Sequence, residues 1–226
     1  TIDIHGGGAD LEFPHHTNEI AQSEAKTGQT FANYWMHNGF VNIDDVKMSK
    51  SLGNFITVHD ALKTIDGQVL RFFFATQHYR KPINFTEKAV HDAATNLKYL
   101  KNTYEQPFTG QADSAQLQAF LDKFTAAMDE DFNAANGITV VFELAKWINC
   151  GNYAAEVKTA FAKLLEVFGI VFVEEVLDAD IERLIEERQE ARANRDFATA
   201  DRIRDELAAQ GIKLLDTKDG VRWTRD

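Results

Sequence analysis

Three apolar stripes of helical period, one after another, constrain most strongly what this chain can fold into. Leu117, Phe120, Leu121, Phe124 and Met128 recur at three- and four-residue steps after Ser114, a good N-cap. Ile138, Val141, Phe142, Ala145 and Ile148 form a second stripe between Asn133 and Gly151. Val157, Phe161, Leu164, Leu165 and Phe168 form a third, which Gly169 stops. Each stripe must be covered, and connections this short make neighbouring helices antiparallel. The spacing predicts an antiparallel helical bundle over 114–172, with these side chains as its core and no cofactor among them.

The rest of the chain is mainly α as well. Thr1-Ile2-Asp3-Ile4 reads as a buried strand running into the glycine turn His5-Gly6-Gly7-Gly8-Ala9-Asp10. Such a strand needs neighbours that the chain supplies sparingly, which suggests a larger protein cut inside a domain. Pro14 suits the first position of a helix ended by Gly28. Val58–Leu62 and Val69–Phe74 read as short helices, with Leu70, Phe73 and Phe74 as an apolar patch. Glu87–Tyr104 is a longer helix carrying Ala94, Leu97 and Leu100, and Pro107–Asp113 is a linker. Ile181–Arg195 and Phe197–Gln210 read as helices, followed by short strands Ile212–Leu214 and Val221–Trp223 about an Asp219-Gly220 turn.

Composition narrows the function classes. The chain has 226 residues, is 44% hydrophobic and 26% charged, and contains no apolar run long enough to cross a membrane. One cysteine, Cys150, excludes an internal disulfide framework and suits a reducing cytoplasm. A net charge of −11 argues against non-specific nucleic-acid binding by the whole surface. Yet eight of the ten arginines lie in the last 49 residues, mixed with thirteen acids. That is a patterned surface and not a basic tail.

The chemistry-bearing residues are concentrated near the start. Lys47-Met48-Ser49-Lys50-Ser51 puts two flexible ammonium groups among hydroxyls, just before Gly53-Asn54. A loop of that make-up can close over a nucleotide and meet phosphate charge as it develops. A given pentapeptide arises by chance in a chain this size on the order of once in ten thousand. His15 and Glu19 stand at i and i+4, so an imidazole and a carboxylate share one helix face and can reach one zinc ion; the same spacing also suits a solvated ion pair. The three glycines allow close backbone approach to a ligand or serve a tight turn. A lipase-type oxyanion hole is excluded, because G-x-S-x-G is absent.

The string from His5 to Ser23, then Tyr34-Trp35-Met36-His37, then the lysine loop, resembles the cysteinyl-tRNA synthetase family, and the pentapeptide is letter for letter the KMSKS loop of class I aminoacyl-tRNA synthetases. The resemblance covers the whole chain, as the C-terminal half of such an enzyme. It implies a remnant of a Rossmann-type catalytic domain over 1–46, the KMSKS loop and stem helices over 47–106, the bundle over 114–172 and a small α/β anticodon-binding unit over 178–226. The intact enzyme activates cysteine with ATP and magnesium, forming cysteinyl-adenylate and pyrophosphate, then charges tRNA(Cys) in the cytoplasm. Lys50 matches the residue that stabilises the phosphate, with Lys47 supporting it. Asp10 and Gly8 match ATP-binding positions, and His5 and His16 line the cysteine pocket. Four side chains bind zinc in the family; His15 and Glu19 match two, and the others are cysteines upstream of Thr1. The HIGH motif is also upstream, so this chain alone is expected to be inactive.

Asp129-Glu130-Asp131-Phe132-Asn133 resembles the family's acidic elbow in this tRNA-binding bundle, with a helix-capping role expected and a tRNA-facing one as the alternative. Arg188, Arg192 and Arg195 fall at i, i+4 and i+7, suiting one phosphate- or base-facing helix surface, or a salt-bridged solvent face with the interleaved Glu187 and Glu190. By resemblance Arg192, Phe197, Asp201 and Asp216 match the anticodon-reading positions, although the family most often has tryptophan where Phe197 stands. Two rivals differ in class. A ligase joining cysteine to an amino sugar would keep the zinc and the lysine loop but need no Phe197–Trp223 tail. A non-catalytic RNA-binding module would need neither the loop nor His15 and Glu19.

Overall fold

The computed structural model describes residues 1–172, 179–217 and 220–225. The chain divides into two units, Thr1–Phe172 and Val173–Asp226, each described by itself.

The first unit begins with strand β1 (Ile2–Gly8), which pairs in parallel with β2 (Ala32–Asn38). Helix α1 (Thr17–Thr27) makes the crossover that a parallel pair requires. Helical backbone begins at Pro14, as expected, and runs through His16 into α1. Phe13, the residue before the proline, is extended at φ −139° and ψ 132°, as residues preceding proline tend to be, and breaks the short π-helical segment Glu12–His16 at that point. Gly28 ends α1 as expected, left-handed at φ 66° and donating to the Glu24 carbonyl. The expected burial of β1 does not hold. Ile2 and Ile4 are 40% and 57% exposed, because β2 is the only strand paired with β1 among the described residues.

A second sheet orders β4 (Val46–Lys47), β3 (Val41–Ile43) and β5 (Ile83–Phe85), antiparallel and then parallel. Helices α2 (Val58–Ala61), α3 (Gly67–Ala75) and α4 (Glu87–Tyr104) follow the loop. The inward face of α3 is Leu70, Phe72 and Phe73; Phe74, expected in that patch, is exposed.

The three stripes become α5 (Ser114–Asp129), α6 (Ala134–Asn149) and α7 (Ala155–Val167). Asp113, not Ser114, caps α5, its carboxylate accepting from the Ala115 and Gln116 amides. Leu100 of α4, Val141, Leu144, Ala145 and Ile148 of α6, and Val157 and Phe161 of α7 are fully buried in one core that also takes Phe72 and Phe73. Each of the Val, Leu, Ile and Phe side chains among them contributes roughly 1.5–3 kcal/mol by leaving water. The chain is mostly helical, and no helix among the described residues is long and apolar enough to cross a membrane.

The second unit contains α8 (Ala179–Ala193), α9 (Phe197–Ala209), and the antiparallel pair β6 (Ile212–Thr217) and β7 (Gly220–Arg225). Ile181, Ile203, Leu207 and Ile212 form its core. The helix expected to reach Arg195 ends at Ala193, and Arg195 turns left-handed at φ 62° before Asp196, which caps α9. Arg195 therefore leaves the face of Arg188 and Arg192. The Asp219 half of the expected turn lies outside the described residues.

The acidic elbow between α5 and α6 does not act as a cap through Asp131. Asn133 caps α6 by accepting from the Asn136 amide. Asp131, left-handed at φ 55°, instead accepts from the Tyr79 hydroxyl at 2.7 Å and from Arg80 Nε and Nη2 at 2.5 and 3.0 Å. This ties the bundle corner to the segment before β5. Arg80 first, and Tyr79 second, hold the Asp131 carboxyl at about 2, below its ordinary 3.8. A carboxylate depressed by folding stabilises above its unfolded pKa and loses that effect as pH falls through the folded value. Asp131→Asn should lower Tm at neutral pH, and the gap to the parent should close between pH 3.8 and about 2. A gap of constant size across that window would show that the charge is not what holds the corner.

Candidate functional site

The β1–β2 register decides which side chains meet. His5 lies opposite Trp35 and Gly7 opposite His37. Strand side chains alternate, so His5, Gly7, Trp35 and His37 share one face. Gly7 leaves that face open: a Cβ there would sit 2.9 Å from both His16 Cε1 and Leu11 Cδ1. His16, carried in by the π turn, fills the space and is 3% exposed. Its Nδ1 lies 2.8 Å from His37 Nε2, and its ring meets His5 edge-on at 4.7 Å between centroids. Trp35 packs against both, at 4.9 Å from His5 and 5.3 Å from His16. Burial lowers the His16 pKa, and the neighbouring His5 and His37 lower it further while Glu19 opposes them. His16 is thereby kept neutral, with a ring nitrogen available as acceptor or ligand.

Glu19 joins the two groups of histidines. Its Oε2 is 2.7 Å from His5 Nε2, and its Oε1 is 3.6 Å from His15 Nε2. The i, i+4 pair of the sequence is therefore present, but the tighter grouping is His5, His16 and Glu19, whose ligand atoms lie within 4.8 Å of one another. Residues to which the resemblance assigns separate jobs thus lie in one cluster. The donors are imidazole nitrogen and carboxylate oxygen, a set that fits zinc.

The lysine loop stands on the second sheet. Ser49 Oγ accepts from the Leu52 amide, capping the single 3-10 turn Lys50–Leu52, and Gly53 closes that turn at φ 71°. Asn54 clamps the loop at both ends: Oδ1 accepts from the Ser49 amide at 2.9 Å, and Nδ2 donates to the Lys47 carbonyl at 3.3 Å. Lys47 Nζ reaches Asp10 Oδ2 at 3.7 Å, so the loop touches the glycine turn. Gly8 admits that turn, since a Cβ there would stand 2.5 Å from Asp10 Oδ1. Lys50 and Lys47 are both exposed. His37, Trp35 and Asn54 were not singled out by residue-level reasoning. The alternation of Trp35 and His37, matching that of His5 and Gly7, is the signal that could have found the first two.

In the second unit Arg188, Arg192, Phe197, Ala200, Asp201 and Arg204 line a cavity of about 160 Å³. Arg192, Phe197 and Asp201 thus line one cavity; Phe197 is exposed, and Asp201 pairs with Arg204 at 3.1 Å. Arg188 departs from expectation. It is 5% exposed, which suits a structural group within the unit and not an open phosphate contact. Asp216 lies in β6 opposite Val221.

Residues 1–95 match the family model for the tRNA synthetases class I (C) catalytic domain, 123–174 the DALR domain, and 174–223 the cysteinyl-tRNA ligase anticodon binding domain. The cysteine–tRNA ligase of Streptococcus pneumoniae is 86% identical over all 226 residues, which are 51% of that relative. Those of Streptococcus mutans and Streptococcus thermophilus are 81% and 80% identical over the same span and share. The chain thus spans about half the length of the curated relatives it matches. Among solved structures, the Agrobacterium radiobacter K84 LeuRS–tRNA–LeuAMS complex aligns with a TM-score of 0.56 at 18% identity, over 74% of this chain and 25% of that one. Mycobacterium tuberculosis methionyl-tRNA synthetase with methionyl-adenylate aligns with a TM-score of 0.50 at 16% identity, over 74% and 40%. These two share the fold alone. Three family models met in order and 86% identity over all 226 residues make the chain similar, along its whole length, to about half of a cysteine–tRNA ligase.

Proposed function

We propose that this chain carries part of the active site and the anticodon-reading unit of a ligase that activates cysteine with ATP and charges tRNA(Cys) in the cytoplasm. One observation carries the reading. The lysine loop and the glycine turn meet through Lys47 and Asp10, in the same unit as the His5–His16–Glu19 cluster. The residues read as meeting phosphate, ribose and amino acid thereby belong to one unit.

In the first half-reaction the cysteine carboxylate attacks the α-phosphorus of magnesium-bound ATP, and the bond to the bridging oxygen breaks to release pyrophosphate. In the second, the terminal ribose hydroxyl of the tRNA attacks the carbonyl carbon and AMP leaves. Lys50 meets the charge that grows on the phosphate oxygens, and Lys47 supports it. Asp10 accepts from ribose hydroxyls, and the backbone at Gly8 approaches the nucleotide. His5 and His16 shape the cysteine pocket against Trp35. His15 and Glu19 would hold a zinc ion, with His5 or His16 as further donors; bound there, zinc offers a thiolate a bond that the serine hydroxyl cannot match. In the second unit Arg192 and Phe197 offer a cation and a ring to unstacked bases, while Asp201 and Asp216 accept from base edges. The functional division is 1–46 for the nucleotide and amino acid, 47–106 for the loop and stem, 114–172 for the bundle, and 178–226 for the anticodon.

Activity is measured in a chimaera in which this chain replaces the matching part of the Streptococcus pneumoniae ligase. There Lys50→Ala should lower kcat for ATP–pyrophosphate exchange by about 10²-fold with little change in the ATP KM. An unchanged kcat with a raised KM would refute the proposed role. In the isolated chain, dialysis should leave well under one zinc per molecule. Stoichiometric zinc that survives His15→Gln but not His16→Gln would move ligation to the His5–His16–Glu19 trio. Asp201→Ala should narrow the affinity ratio between cognate and anticodon-swapped tRNA by about tenfold, the usual value of one lost base contact. An unchanged ratio would remove Asp201 from base reading.

A further inference from the structure

The two lysines of the loop are seated unequally, and the difference lies in an aromatic ring that neither the sequence motif nor the family comparison assigns. Lys47 Nζ stands 3.7 Å from the centroid of the Phe40 ring, whereas Lys50 Nζ is 5.5 Å from that of Phe55. The closer seat is built into the sheet. Lys47 pairs with Asn42 across β3 and β4, so Phe40, two residues before Asn42, is its diagonal neighbour on the same face. Phe40 is itself fixed by the backbone. Its carbonyl accepts from the Ile83 amide at 2.8 Å, and the Gly39 amide donates to the Tyr79 carbonyl at 2.7 Å. Gly39 must be glycine, because a Cβ there would run into the Lys81 carbonyl. The Met48 amide, donating to the Val41 carbonyl at 2.9 Å, holds the other side of Lys47. The same ammonium is 3.7 Å from Asp10 Oδ2, so ring face and carboxylate define its position together.

We propose that Phe40 is a positioning residue for Lys47, its ring holding the ammonium at the glycine turn so that the first loop lysine is in place before ATP arrives. This rests on the ligase reading of the loop. A free lysine stem samples many rotamers and its ammonium is strongly hydrated. A ring face attracts the cation without neutralising it or offering a hydrogen bond that must later be broken. Lys47 is thus confined yet still charged, and the entropy of bringing it to the phosphates is lost in folding and not in the reaction. Lys50, more loosely seated, keeps the freedom to follow the phosphate as charge moves.

The test uses ATP–pyrophosphate exchange in the Streptococcus pneumoniae chimaera. Phe40→Leu keeps apolar bulk and removes the ring; it should lower kcat by about five- to tenfold with the ATP KM little changed. Phe40→Tyr keeps the ring and should restore the rate. In a Lys47→Met background Phe40→Leu should have no further effect, because the ammonium it serves is gone. If Lys47→Met leaves exchange intact, the reading of Lys47 itself fails and this proposal with it. If Lys47→Met is slow but Phe40→Leu is fully active, or slows the Lys47→Met protein as much as the parent, only the positioning role fails. Amine labelling of Lys47, read by mass spectrometry on the isolated chain, gives an answer independent of catalysis. The rate should rise about threefold in Phe40→Leu and stay at the parent's value in Phe40→Tyr; equal rates in all three overturn the proposal.

Discussion

The parallel pairing of β1 with β2 is the constraint on which the site depends. Slipping the register by one residue would turn His5 and Gly7 to the opposite face from Trp35 and His37. His16 would then lose both the gap above Gly7 and its partner His37. Because a parallel pair needs a crossover, the same pairing requires α1, and α1 is the element that brings Glu19 back over His5. One backbone arrangement therefore assembles imidazoles from β1 and from the segment before α1 around one carboxylate. It also keeps His16 buried and neutral, the form in which its ring can accept or ligate.

The lysine loop is held by a different kind of constraint, hydrogen bonds from short polar side chains to a backbone that has left regular structure. Asn54 satisfies the Lys47 carbonyl and the Ser49 amide together, and Ser49 satisfies the Leu52 amide. None of these bonds uses a lysine ammonium. The loop can thus keep its shape without engaging either Nζ. The sheet beneath it is small, three short strands, and is steadied at its edge by the Asn84–Asp45 bonds. Further along, the Asp131–Arg80–Tyr79 cluster ties the segment entering β5 to the corner of the bundle, whose core supplies most of the buried apolar surface of the first unit.

What was legible in the sequence was what is local. The stripes of α5, α6 and α7 carry a period of 3.6 that no strand could bury, and Gly28 and Gly169 announce left-handed stops. His15 and Glu19 are one helical turn apart, so their proximity is written in their spacing. The misreadings were local choices that a neighbour took over. Ser114 yielded its cap to Asp113, one residue away and with a better-placed carboxylate. Arg188 and Arg195 share a helical period with Arg192, but packing buried the first and a left-handed turn removed the other.

The sequence by itself determined the helical bundle, the loop chemistry and the residue types of the site, since periodicity, spacing and side-chain chemistry are properties of a segment. Only the tertiary structure decided which of those residues meet. His5 and Glu19 are 14 residues apart, and His16 and His37 are 21 apart. Lys47 and Asp10 approach across a still longer stretch of chain. No period links such positions. Their contact follows from strand register and from the space that Gly7, Gly8 and Gly39 leave open, and both exist only once the strands have paired.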